Sequence, residues 1–417
     1  MLSFRRTFIT AAITCLVAAA TGCGSAASHF SNQPSRQTKK AAVLPPGQRA
    51  AGTPIKVGYI NVQGGPTISS PAFTEGAELA VSYVNGYLNG IAGHPIQLIK
   101  CYTDGTTAST TACANQFVSD KVPLVIQGSD TNTSADPILA RAGIPYVTPN
   151  GNGPADLDTP GIFSVTTQIG TGLAGLAKYA KERGWKKVAI LALNTPSLSQ
   201  TVQQIAGPVY ARADVSYQAT YVDPGTPDQT PQVSAAMSGH PDALLFIGDI
   251  NTCTSFMKAV DTLGVTTPIF LVGSCALESV LASVPATSLE NAYVLSTVDL
   301  SDSGADNQTF STLVQQQDPS GDAQSIQLRL GYLPVVTLAR ILKGFTGDPT
   351  SANLIKAIRS AKDVPMPFGR GATLTCDGTA IPKLPSLCSP ETFLLKVDGV
   401  DNYAFVSGFN VAPLFAS

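Results

Sequence analysis

Two runs in which short apolar strands alternate with amphipathic helices constrain this chain more than any other feature. The first run opens at Ile55–Ile60, an apolar stretch of strand length, and continues through a Gly- and Ser-rich loop from Gln63 to Ser70. Ser70-Pro71 has the form of a helix start, a capping residue before a first-turn proline. Phe73, Ala77, Ala80, Val81 and Val84 follow at helical spacing. The pattern predicts further strands at Pro95–Cys101, Leu124–Gly128 and Ile144–Thr148, with helices over Thr106–Asp120 and Thr133–Ala142 and a stop at Gly143. In the second run Leu173, Leu176, Ala177 and Ala180 line one helix face that ends at Gly184. Strands are predicted at Val188–Leu193, Ala243–Ile247 and Ile269–Val272, with helices between them. Such alternation implies parallel sheets with right-handed crossovers. The expected class is α/β, with two similar lobes that each open on a Lys-led strand, Lys56-Val57-Gly58 and Lys187-Val188-Ala189.

A different kind of sequence precedes the first run. Arg5 and Arg6, the apolar stretch from Phe8 to Ala20, and the small residues before Cys23 are built like a bacterial export leader. Ala20-Thr21-Gly22-Cys23 resembles a lipobox, in which the cysteine becomes the lipidated first residue of the mature protein. Arg5-Arg6-Thr7-Phe8-Ile9 also resembles a twin-arginine signal, so the route of export stays open. The apolar stretch is too short to cross a bilayer as a stable helix. Residues 1–22 are expected to be a signal peptide. Residues 23–53, with lipidated Cys23 and then much Ser, Ala, Gln and Pro, are expected to form a flexible tether. The working part of the chain should therefore sit on the outer face of the cell membrane, held by a lipid anchor.

The cysteines fit that compartment. Beyond Cys15 and Cys23 there remain Cys101, Cys113, Cys253, Cys275, Cys376 and Cys388, in three neighbouring pairs. Six cysteines allow fifteen connectivities, and pairing neighbours is the simplest. No Cys or His spacing of a zinc site occurs. A formal net charge of −2, which the loss of Arg5 and Arg6 makes more acidic, does not suit a nucleic-acid binder. With 44% hydrophobic and only 13% charged residues, the chain is a compact globular type.

In doubly wound sheets, ligands bind beyond the carboxyl ends of the strands. The loops expected there, among them Gly128–Asn132, Asn150–Asp156, Asp249–Thr252 and Gly273–Cys275, are dominated by Gly, Ser, Thr and Asn. Such loops bind through hydroxyls, amides and backbone N–H groups. Motifs for chemistry are thin. Gly170-Thr171-Gly172-Leu173-Ala174-Gly175 matches a dinucleotide pattern, but the strand after it ends at Leu193-Asn194 with no acid for a ribose. His94 and His240 each precede a proline at a turn, and no Gly-x-Ser-x-Gly elbow is present. No enzyme activity, cofactor or metal is expected.

With these residues in order, the chain resembles the type I periplasmic binding proteins, in the leucine/isoleucine/valine-binding branch. The carrying segments are Ile55-Lys56-Val57-Gly58, Glu75-Gly76-Ala77-Glu78-Leu79-Ala80-Val81, Gly143-Ile144-Pro145-Tyr146-Val147-Thr148-Pro149 and Lys187-Val188-Ala189-Ile190-Leu191. The resemblance implies two Rossmann-like lobes joined by a three-strand hinge, with a ligand cleft between them and an ABC permease as partner. It places lobe one at 54–168 plus 298–390 and lobe two at 169–297 plus 391–417. It implies a monomer that captures a small polar ligand, an amino acid or an amide-like molecule. A ligand-sensing lipoprotein acting on a membrane receptor is the alternative.

By position, the resemblance implies ligand contacts from Ser129, Thr131, Asn150 and Asn152 in lobe one, with Ser69 and Ser70 beside them. It implies Ser197 from lobe two, and Tyr332, in Gly331-Tyr332-Leu333 at a helix start, is expected either as an aromatic cleft wall or as a core tyrosine. Family members that bind amino acids carry an acid near the strand end at Gly273-Ser274-Cys275, and here none stands there. Asp249, after the preceding strand, is expected either as the substitute or as a cap of the helix that follows. If it fails to reach the cleft, a neutral or anionic ligand is expected instead.

Overall fold

The structure is a computed structural model that describes residues 44–416, apart from positions 45, 66–68, 152, 302, 319–320 and 401 and the side chain of Ser197. Cys23 and the leader lie outside the described residues. The first alternating run forms β1 (Ile55–Val62), α1 (Pro71–Tyr87), β2 (Ile96–Thr103), α2 (Thr107–Ser119), β3 (Val125–Gln127), α3 (Asp136–Arg141), β4 (Tyr146–Asn150), α4 (Pro154–Asp158) and β5 (Ile162–Thr166). The second forms α5 (Gln168–Arg183), β6 (Lys187–Leu193), α6 (Pro196–Ala213), β7 (Ser216–Val222), α7 (Thr230–Met237), β8 (Ala243–Ile247), α8 (Ile250–Leu263), β9 (Ile269–Val272), α9 (Glu278–Leu281) and β10 (Ala292–Ser296). The remainder supplies α10 (Ala305–Gln317), α11 (Ile326–Ile341), α12 (Ser351–Arg359), β11 (Val364–Pro365), β12 (Thr373–Leu374), β13 (Glu391–Gly399) and β14 (Asn402–Asn410).

Two sheets organise these elements. One has the order β2-β1-β3-β4-β5, all parallel, with Ile55 opposite Ile96 and Gly58 opposite Val125. The other has the order β14-β13-β10-β9-β8-β6-β7. Its strands β6 to β10 are parallel, while β13 and β14 join antiparallel. The chain passes between the sheets at 166–168, 296–301 and 388–391. After the second passage, α11 packs back against α1 and β4 of the first lobe. That contact is unusually close. A Cβ on Gly76 would lie 2.0 Å from the Leu328 carbonyl oxygen, and one on Gly331 would lie 2.0 Å from the Phe73 carbonyl oxygen. Only a reciprocal pair of glycines lets the two backbones approach this way.

Several expectations need correction. Residues 46–53, expected as the end of a flexible tether, are docked on the first lobe. Ala50 donates its N–H to Asn85, Gln48 bridges to Leu88, and Leu44 and Ala50 are buried. Apolar Leu44 and a run of backbone hydrogen bonds outweigh the polar composition that suggested coil. The second sheet is mixed rather than parallel, because the antiparallel pair β13/β14 adds to its edge. Ser70 does precede the first turn of α1, but its side chain makes no capping bond. The disulfides join neighbours: Cys101–Cys113, Cys253–Cys275 and Cys376–Cys388, with Cα separations of 5.7, 5.4 and 4.3 Å. Loops of this size restrict the unfolded chain by about 3 kcal/mol each in the chain-entropy account. The Gly170–Gly175 motif lies inside α5, where a Cβ on Gly175 would lie 2.4 Å from the Thr392 methyl. Those glycines serve helix-to-strand packing.

Candidate functional site

The carboxyl ends of β3, β4 and β5 from one sheet face those of β8 and β9 from the other across a cavity of about 220 Å3. This is where a doubly wound architecture leaves backbone groups and helix starts available to a ligand. The first lobe contributes Gly128, Ser129, Thr131, Pro149 and Asn150. The second contributes Asp249, Ile250, Gly273, Ser274 and Leu277, and Gln168 lines it at the junction where the chain leaves the first lobe and opens α5. Helix α1 and the first turns of α11 close one side with Phe73, Ile326, Gln327 and Leu330. The Gly76/Gly331 contact explains why they reach it, since Phe73 and Leu330 flank that crossing in sequence.

Hydrogen bonding divides the polar lining into two kinds. Ser129 is committed to the protein: its N–H and its hydroxyl both donate to Asn61 Oδ1, each at 2.9 Å. Buried Asn61 in turn donates to the Ser70 carbonyl at 2.9 Å and to Thr74 at 3.0 Å, so it pins the loop after β3 to the start of α1. Asn150 is also held, with its Oδ1 accepting from Thr166 at 2.6 Å and from Thr297 at 3.2 Å. Ser274 donates to the Gly248 carbonyl at 2.7 Å. By contrast, the side chains of Thr131, Gln168 and Gln327 have no hydrogen-bond partner among the described residues, and they line the same cavity. They are the groups free to meet a ligand.

Asp249 belongs to both kinds. As the cap of α8 it accepts the Thr252 N–H through Oδ1 at 2.9 Å, and Thr252 answers with its own hydroxyl in a capping box. Its Oδ2 has no bond among the described residues. It is the one charged side chain among the described residues lining the cavity. The Cys253–Cys275 bridge ties the turn that carries Asp249 to the turn that carries Gly273 and Ser274. Beside the cavity α5 begins with no side-chain cap, and Thr167 donates its hydroxyl to the Gly151 carbonyl at 2.9 Å. An uncapped helix start leaves N–H donors and a partial positive charge available to an anion.

Beneath the first lobe's loops lies an unusual acid pair. Asp136 and Asp156 are fully buried, on α3 and α4 respectively. Burial first, and then the neighbouring Asp156 carboxylate, raise the Asp136 pKa well above the usual carboxylate range. Asp156 also accepts the Gly153 N–H at 3.2 Å.

The positions expected from sequence distribute unevenly. Ser129, Thr131, Asn150 and Asp249 come together at the cavity. Ser69 and Ser70 are not among its lining residues; Ser69 accepts the Gly64 N–H at 3.0 Å, and Ser70 bonds Val62 and Asn61 through its backbone. Ser197 falls in the first turn of α6. Asn152 lies outside the described residues. Tyr332 needs correction: it sits mid-way along α11 rather than at its start, and it is only 3% exposed. Its ring packs against Tyr83, Phe310 and Phe368, so it is core rather than cleft wall. The sequence reading missed Gln168, Gln327, Phe73, Ile326 and Leu330. Gln168 was open to detection, as the residue that opens α5 immediately after a strand. The others depend on where α11 returns.

The chain belongs to the periplasmic binding protein family, whose model matches residues 54–385. No curated protein sequence matches it. Among solved structures it is similar to the leucine-binding protein LivK from Thermotoga maritima, with 17% identity, a TM-score of 0.67, and coverage of 85% of this chain and 99% of that one. It is also similar to the branched-chain amino acid substrate-binding protein LivJ from Streptococcus pneumoniae, solved with isoleucine. That match has 18% identity, a TM-score of 0.66, and coverage of 85% and 99%. A third is a solute-binding protein of an ABC transporter from Rhodopseudomonas palustris in complex with 3,4-dihydroxybenzoic acid. It matches at 18% identity and a TM-score of 0.69, with 86% and 98% covered. At these identities the structures establish a shared two-lobed fold.

Proposed function

We propose that this protein is an extracytoplasmic, lipid-anchored solute-binding protein that captures a small amino acid with an apolar side chain for an ABC importer. The observation that carries the reading is the cavity itself. It combines one carboxylate with a free oxygen on Asp249, an uncapped helix start at Gln168, and apolar walls from Phe73, Ile250, Leu277, Ile326 and Leu330. A zwitterion fits these three features together. Its ammonium meets Asp249, its carboxylate meets the start of α5 with the Gln168 amide and the Thr131 hydroxyl, and its side chain meets the apolar wall. A buried ammonium without a counter-charge would cost several kcal/mol, so a free acid in the cavity favours an amino acid over a neutral ligand.

Capture follows from the placement of these groups on both lobes, taken as 54–168 plus 298–390 and 169–297 plus 391–417. A ligand that touches both walls favours the closed arrangement by its differential affinity. The leader and Cys23 support a membrane anchor. Among the described residues no helix is long and apolar enough to cross a membrane.

A thermal-shift screen tests the reading. At 100 times its dissociation constant a cleft ligand adds about 2.7 kcal/mol of stability. Leucine, isoleucine or valine should raise the melting temperature, and the matching carboxylic acids without an amino group should not. Equal shifts from the deaminated acids would remove Asp249 as the ammonium partner, and no shift from any amino acid would remove the ligand class.

A further inference from the structure

A second concavity lies away from the cleft, where α4 and the loop before Leu387 on the first lobe meet α6 and the C-terminal turn of the second. Its volume of about 370 Å3 exceeds that of the cleft cavity and falls within the range of small-molecule sites. Its floor is buried Leu157 and Val209, and its walls include Ile205, Leu384, Leu414 and Phe415. Leu157 belongs with Ile381 and Leu387 to a small apolar cluster of its own, separate from the main core, with Leu384 and Phe415 packed on it.

Charge is confined to the rim. Exposed Arg212 and Lys383 stand there against one carboxylate, Asp158. Lys383 has no ion-pair partner among the described residues. Arg212 uses only Nη1, toward the Pro208 carbonyl at 3.4 Å and the Leu414 carbonyl at 3.0 Å, which leaves its other N–H groups open. An apolar hollow with surplus positive charge at its edge matches one ligand chemistry: a hydrocarbon chain that ends in an anion. The hollow is concave and is closed by the C-terminal turn and by the loop at 382–384, which suits a short chain rather than a protein surface. We infer that this pocket is an accessory binding site for a medium-chain carboxylate, with its chain on the Leu157 and Val209 floor and its head at Lys383 and Arg212.

Titration calorimetry of the purified protein with butanoate, hexanoate, octanoate and octan-1-ol tests the inference. Saturable one-to-one binding of octanoate is expected. Affinity should rise about fourfold per added methylene along the series, the transfer value for one buried methylene. Octan-1-ol should bind at least fivefold more weakly than octanoate. Leu384→Trp, which fills the pocket from a partly exposed loop, should weaken octanoate at least tenfold. Lys383→Glu, a surface change that keeps the pocket volume, should weaken it at least fivefold. Melting temperature and circular dichroism report whether each variant folds. The inference is overturned if octanoate does not saturate, if octan-1-ol binds as well, or if a folded Lys383→Glu protein binds octanoate unchanged. None of these readouts depends on what the cleft between the sheets binds.

Discussion

On the first lobe's side of the cleft, the polar groups at the strand ends are already engaged, while Thr131 and Gln327 stay open. Ser129 gives both of its donors to Asn61, and Asn150 is clamped by Thr166 and Thr297. On the second lobe's side, Asp249 keeps an oxygen free while it caps α8, and α5 starts uncapped behind an unpartnered Gln168. The difference separates shape from recognition. The strand ends of one wall hold its own loops through Ser129 and Asn150, and the other wall supplies the one charged side chain among the described lining residues. Residue type alone does not distinguish these roles, because a serine at a strand end serves either.

The comparison breaks most readily at Asp249. Asp249→Asn keeps a capping side chain, so the unliganded melting temperature should hold, while calorimetry should show about a 100-fold loss of amino-acid affinity. Equal affinity would place the ligand on the first lobe's wall instead. Next in size, Gly331→Ala puts a Cβ against the Phe73 carbonyl oxygen. Urea unfolding should register a loss of about 1–3 kcal/mol, the range for overpacked sites.

Gln168→Ala and Ser129→Ala then sharpen the contrast as a pair. Loss of the Gln168 amide should weaken the ligand about tenfold in equilibrium dialysis, because one hydrogen bond to a charged group contributes about 1.5 kcal/mol, with unliganded stability unchanged. Ser129→Ala should do the opposite. It should lower unliganded stability by about 1 kcal/mol, because Asn61 loses a partner, and shift affinity less than threefold.

The smallest effect concerns the acid pair beneath the first lobe's loops. Asp136 has its pKa raised in the folded protein, by burial first and then by Asp156. Below the ordinary aspartate pKa of about 3.9 both states hold the proton. Above it the unfolded chain releases the proton and the folded chain keeps it, so this contribution to stability falls as pH rises toward the folded value. Asp136→Asn should therefore flatten the decline in melting temperature between pH 5 and pH 8. An unchanged slope would show that Asp136 titrates normally.

Much of the fold was legible in local pattern. Val188–Leu193, Ala243–Ile247 and Ile269–Val272 coincide within a residue with β6, β8 and β9, because buried parallel strands read as unbroken apolar runs. Gly184 ends α5 at φ 72°, where a glycine costs least. β5, β7 and the strands β10 to β14 were not foreseen. The outward positions of β7 and β14 are polar or half-exposed, so their pattern is weak. At the site, four of the seven expected contacts whose side chains are described line the cavity, and those four sit at strand ends or in the loops just after them, where topology alone directs them.

The amino-acid order by itself determined the alternation of elements, the sequence stops between them, and the strand-end loops able to face a cleft, because each depends on residues close in the chain. Only the tertiary structure decided which polar groups remain open. Ser129 is closed by Asn61 from β1, Tyr332 is buried by Phe310 and Phe368, and Phe73 reaches the cavity because two glycines bring distant helices into backbone contact. Hydrogen-bond saturation and close packing depend on partners far apart in sequence, and no local pattern records them.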